Sequence, residues 1–242
     1  MKLKTGWYSN RVGREVGVVR YGTYGRPVLL FPTAGGDCEE AERMRLIAAL
    51  WPLIEAGRIK VYSCDSVAGR TWVDSGASGA HKAWMQNRFD EFVAQELVPA
   101  IRTDCKSDDI EIITAGASFG AFNAVAALCR HPDAFCTAIG MSGTYDLSPW
   151  NNGEHTFDFH VSSPVHFLPY MEEGPLLEQL RRRFVLLVSG QGRWESPGQA
   201  WGIANALGSR GVPNRVILWG HEWDHDWPTW RVMLPYYLNE LT

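Results

Sequence analysis

Gly116-Ala117-Ser118-Phe119-Gly120 sets a serine between two glycines. The apolar run Ile110–Ala115 precedes it and the apolar stretch Ala121–Leu128 follows. A strand that turns this sharply into a helix holds the serine hydroxyl out of the sheet, at the start of the helix. The glycines are required because strand and helix crowd any Cβ placed between them. Such a serine is a candidate nucleophile for acyl transfer, provided that a base takes its proton and an acid orients the base. In the order serine, acid, histidine, the loop after Phe184–Ser189 supplies Glu195 and the loop after the last apolar strand supplies His225. Asp146, beyond Phe135–Met141, is the alternative acid. His221 is the alternative base, and is otherwise read as a residue of the pocket wall. Asp224 and Asp226 lie too close to His225 along the chain to orient it.

An oxyanion formed at Ser118 needs amide donors. The Phe119 N–H stands at a helix N-terminus, where the dipole favours negative charge. The second donor is expected in Pro32-Thr33-Ala34-Gly35-Gly36-Asp37, from Ala34 or Gly35. A competing pattern is His221-Glu222-Trp223-Asp224-His225, which matches H-E-x-x-H. That motif binds zinc only when a helix puts both imidazoles on one face. Gly220 before it and Pro228 after it argue against a helix, and no third protein ligand is evident. No metal or other cofactor is expected.

The elements that must position these residues alternate along the chain. Glu15–Tyr21, Pro27–Phe31, Ile59–Cys64, Ile110–Thr114, Phe135–Met141, Phe184–Ser189 and Arg215–Leu218 read as strands. Helical patterns run from Asp37 to about Glu55, over Trp84–Arg102, from Gly116 to Cys129, around Gln199–Leu207 and near Pro228–Leu238. This alternation predicts an α/β fold, a mostly parallel sheet with helices on both faces. Gly22-Thr23-Tyr24-Gly25 is too short for a crossover, so the two opening strands are expected to form an antiparallel N-terminal pair. Residues 145–180 break the rhythm with four prolines and three histidines, and read as an insertion near the active site within a single domain, 1–242.

Composition narrows the function classes. The 242 residues carry 23 Lys+Arg against 27 Asp+Glu, a net charge of −4, and Arg181-Arg182-Arg183 is the one basic run. A nucleic-acid surface needs a clustered basic face, so none is expected. No apolar run approaches the roughly 18 residues of a membrane span. Five cysteines without a C-x-x-C, and no signal-peptide pattern, predict reduced thiols and a cytoplasmic protein. Eleven tryptophans exclude disorder. Trp219, Trp223, Trp227 and Trp230 gather around His225, and Trp194 adjoins Glu195. Some are expected behind the histidine loop. Trp194 and Trp72 are expected to line the substrate pocket, which would favour short or flat acyl groups.

Three stretches resemble the esterase branch of the α/β-hydrolase superfamily, the compact bacterial esterases similar to S-formylglutathione hydrolases and mycolyltransferases. Phe31–Gly36 is similar to its oxyanion loop, Gly116–Ala121 to its nucleophile elbow, and His225-Asp226-Trp227-Pro228-Thr229-Trp230-Arg231 to its catalytic-histidine segment. The last favours His225 over His221. The resemblance extends to Val61–Trp72 and the segment from Tyr145, and implies an α/β-hydrolase fold. It also implies a serine esterase that cleaves a small carboxylic ester or thioester through an acyl-enzyme. In that branch the acid is generally Asp, where this chain has Glu195. An acyltransferase using the same triad, or a non-catalytic binding protein on the same fold, are the alternatives. Oligomeric state has no sequence signal.

Overall fold

The computed structural model describes residues 1–242. Eight strands form one sheet: β1 (Lys2–Ser9), β2 (Arg14–Tyr21), β3 (Arg26–Phe31), β4 (Ile59–Cys64), β5 (Ile112–Ala117), β6 (Phe135–Met141), β7 (Phe184–Ser189) and β8 (Asn214–Leu218). Their spatial order is β1-β2-β4-β3-β5-β6-β7-β8. Strands β3 to β8 all pair in parallel with one another, while β2 is antiparallel to both β1 and β4. This is the expected α/β class. Successive residues of β3 serve opposite faces: Leu29 and Phe31 join one core, Val28 and Leu30 the other. The period-2 alternation of a strand buried on both sides produces this division. The helices Phe119–Arg130 and Pro197–Ser209 cover the first face, and Leu46–Glu55 and Trp227–Leu241 the second.

Three local expectations need correction. The antiparallel N-terminal pair is β1 with β2, not β2 with β3. Strand β1 escaped the sequence reading because most of its side chains are exposed at the sheet edge, so it carries little apolar signal. Strand β4 lies between β2 and β3. Four residues reach about 13 Å, enough to clear the about 10 Å across one intervening strand. The helix expected from Asp37 to Glu55 is two pieces, Glu40–Arg43 and Leu46–Glu55, parted at Arg45 with φ 62°. Asp37 does not cap it; its carboxylate accepts from the Glu39 N–H, closing an Asx turn.

Between β6 and β7 the chain forms the short helices Phe157–Ser162, Pro164–Phe167 and Pro175–Leu180. The first is tied to the helix Gly79–Phe92 by Asn87, whose amide donates to Asp158. No helix is long and apolar enough to cross a membrane.

Candidate active site

The turn after β5 is tightly built. Ser118 sits at φ 55°, ψ −120°, a conformation that costs a non-glycine residue roughly 1–3 kcal/mol. Its N–H donates to Met141 O at the end of β6, and its carbonyl accepts from Thr144 N–H. A Cβ on Gly116 would lie 2.3 Å from the Gly120 carbonyl, and one on Gly120 would lie 2.4 Å from Phe31 O. The two glycines thus let the helix start against the ends of β5 and β3 together. The Phe119 N–H is the first of this helix, a position with no intrahelical acceptor.

The loop after β3 faces the same helix start. Gly36 N–H closes a turn onto Thr33 O, and the Glu40 carboxylate accepts from both the N–H and the hydroxyl of Thr33 at 2.8 and 2.7 Å. Gly36 O accepts from Ser66 N–H and the Arg70 guanidinium, while Gly69 packs against Ala34. Ala34 joins the apolar cluster that contains Phe119, Phe122, Trp72 and Phe159. The amides of Ala34 and Gly35 bond nothing else in the chain, and Gly35 faces open space. Glu40, the clamp of this loop, is a positioning group that the sequence reading missed. Its i,i+7 reach back to Thr33 has no local pattern.

At the ends of β7 and β8 the two remaining candidates meet. His225 Nδ1 lies 3.9 Å from Glu195 Oε2, and the Glu195 side chain is 1% exposed. The carboxylate accepts from Ser142 Oγ at 2.5 Å and from Ser189 Oγ at 3.0 Å. The two loops are stitched along their length: Gln191 N–H to Gly220 O, Gly192 N–H to Trp223 O, His225 N–H to Arg193 O, and Arg193 N–H to the Asp224 carboxylate. Asp146, the alternative acid, does not approach His225. Its carboxylate accepts from Ser148 N–H and faces His166 at 3.8 Å. Residues 221–225 are turns rather than helix, so the two imidazoles of His221 and His225 do not share a helical face.

Burial pushes the Glu195 carboxyl up, but His225 and the Ser142 and Ser189 hydroxyls outweigh it and hold the group below its ordinary value of 4.5. A depressed carboxyl pKa contributes stability that is fully present above the unfolded value and is lost as pH falls through the folded one. The urea-midpoint gap between wild type and Glu195→Gln is therefore expected to shrink between about pH 7 and about pH 3. A gap that stays constant, or widens on acidification, would contradict the assignment.

The tryptophans divide into two groups. Trp230 meets the His225 ring edge-on at 5.2 Å, Trp227 packs on Trp230, and Trp223 on Trp219, forming the backing of the histidine loop. Trp72 is buried beneath Phe159, 2% exposed, with its indole N–H unpartnered. Trp194 corrects the expectation of a pocket wall. It is 75% exposed, with φ 63° and the Arg193 guanidinium 5.0 Å above its ring. The turn that draws Glu195 inward directs its neighbour outward. His221 is also exposed, and its ring Nδ1 contacts Gln191 O, so its partner is the acid loop.

A family model described as "Putative esterase" matches residues 62–240, which takes in Ser118, Glu195 and His225 but not the loop after β3. No curated protein sequence matches the chain. Among solved structures it is similar to a ferulic acid esterase, at TM-score 0.76 and 16% identity over 100% of this chain and 97% of that one. It is also similar to an S-formylglutathione hydrolase from Agrobacterium tumefaciens, at TM-score 0.74 and 12% identity over 99% and 94% of the two chains. MPT51 (FbpC1) from Mycobacterium tuberculosis gives TM-score 0.70 and 17% identity over 98% and 97%. At these identities the likeness is one of fold.

Proposed function

The chain belongs to the esterase family and is a carboxylic ester hydrolase, and from this we propose that it cleaves a small ester or thioester through an acyl-enzyme on Ser118. The observation that carries the reading is placement at one end of the sheet, beyond the carboxyl ends of the parallel strands β5, β7 and β8. Ser118 occupies a strained turn at the end of β5, while stitched loops at the ends of β7 and β8 hold Glu195 against His225. Glu195 faces Nδ1, which leaves Nε2 of His225 to take the serine proton.

In the first half-reaction Ser118 Oγ attacks the carbonyl carbon as its proton passes to His225. The tetrahedral oxyanion is held by the Phe119 amide and by that of Ala34 or Gly35. One such donor is typically worth about 10²–10³ in kcat. Collapse expels the alkoxide or thiolate, which takes the proton from His225 and leaves the acyl group on Ser118. Water then attacks the acyl-enzyme, giving its proton to His225, and collapse returns that proton to Ser118 and frees the acid. Glu195 remains ionised and stabilises the imidazolium.

The test is p-nitrophenyl acetate turnover combined with a fluorophosphonate probe. One probe per chain, mapped to the peptide containing Ser118, is expected to remove all turnover. Full turnover after complete labelling, or labelling elsewhere with loss of turnover, would overturn the assignment.

A further inference from the structure

Ser142 follows the last residue of β6, is 3% exposed and takes φ 47°. Its N–H continues the sheet ladder to Val188 O at 2.7 Å, and the preceding carbonyl, Met141 O, holds the Ser118 N–H. The Ser142 hydroxyl lies between two partners of fixed polarity. Trp230 Nε1, 2.9 Å away, can only donate, and the Glu195 carboxylate, 2.5 Å away, can only accept. Ser142 Oγ therefore accepts from the indole, and its one proton is committed to Glu195 Oε1. Ser189 is not constrained in this way, because its proton has a second acceptor in Gly190 O at 2.9 Å.

We propose that Ser142, oriented by Trp230, is a positioning residue that fixes the Glu195 carboxylate in front of His225; this rests on the triad reading given above. A glutamate has one more rotatable bond than an aspartate, so an acid of this length needs an anchor to hold a single orientation. Trp230 serves both ends of the pair. Its N–H reaches the acid through Ser142, and its ring edge packs against the His225 imidazole. The left-handed backbone at Ser142 directs the hydroxyl inward. Strain of this kind persists where the surrounding structure fixes it.

Two variants separate positioning from plain structural support. Ser142→Gly accepts the positive φ freely while removing the hydroxyl. Because the buried Trp230 N–H and the Glu195 carboxylate each lose a partner while the strained φ is relieved, it is expected to lower the urea midpoint modestly but to stay folded under assay conditions, and there to lower kcat by about 10- to 100-fold with KM within about twofold, the scale of a small misplacement of a catalytic group. Trp230→Phe keeps a ring beside His225 but removes the donor, leaving the Ser142 oxygen unanchored and its rotamer free to change. It is expected to lower kcat about 5- to 10-fold. In both, the low-field proton resonance of His225 Nδ1–H should broaden or move. Wild-type kcat in both variants, or a kcat loss that only follows a fallen midpoint, would overturn the proposal. If Ser142→Gly fails to fold, Trp230→Phe alone decides by the same criteria. Failure of the triad reading has a different signature, full activity in Ser118→Ala. Loss of activity in Ser118→Ala with wild-type Ser142→Gly and Trp230→Phe would remove this inference alone.

Discussion

Ser118→Ala is expected to reduce kcat for p-nitrophenyl acetate by about 10⁴-fold or more while KM stays within a few-fold. The asymmetry follows from what is removed. The proposed oxyanion amides belong to the backbone of Phe119 and the loop after β3, and both remain when the hydroxyl is deleted. Substrate binding and part of the transition-state stabilisation survive, so a residue of catalysis over water is expected, as in other triads that lose their nucleophile. The fold should be indifferent to the change, because alanine inherits the same backbone at φ 55° and the serine side chain caps nothing. Steady-state kinetics with the urea midpoint as control measures this. Unchanged kcat would mean that another group carries the reaction.

Gly116→Ala is expected to destabilise the protein by about 3 kcal/mol or more, the upper range for forced overpacking. The added carbon would sit 2.3 Å from the backbone carbonyl of Gly120, and no rotamer change relieves a clash with backbone. Relief requires the helix Phe119–Arg130 to retreat from β5, which would carry the Ser118 turn and the Phe119 amide with it. Activity should therefore fall even at temperatures where the variant remains folded. Gly202→Ala supplies the control. It lies within the helix Pro197–Ser209 with nothing within 4 Å of its would-be Cβ, so it should gain up to about 1 kcal/mol. Equal urea midpoints for the two variants would contradict the crowding at the elbow.

What could be read without coordinates follows from whether the signal is local. Glycines 116 and 120 announce their turn, because the crowding that requires them acts within a few residues of Ser118. The strands β3 to β7 declared themselves as largely apolar runs, since both their faces are buried. The nearness of Glu195 to His225 was reachable because chain order and the ends of β7 and β8 restrict the choice. Strand β1 was not, since an exposed edge strand has no apolar face to display. The break at Arg45 and the conformations of Ser142 and Trp194 were also hidden. Each takes positive φ without being glycine, so tertiary contacts rather than local preference impose them. Ser142 meets Glu195 and Trp230 across 53 and 88 positions, separations over which no short pattern operates.

The stitching of residues 190–195 to 219–225 bears on how this protein can be recombined with its relatives. A chimera with its crossover between the helix Pro197–Ser209 and β8 would inherit the acid loop from one parent and the histidine loop from the other. The backbone-to-backbone bonds would tolerate many sequences. The bond from Arg193 N–H to the Asp224 carboxylate and the close packing of Gly190 and Gly192 on Trp223 would not. Acid and base are thus inherited as one block, from β7 through the start of the last helix, and gene shuffling that respects this block should yield far more active hybrids than shuffling that cuts it.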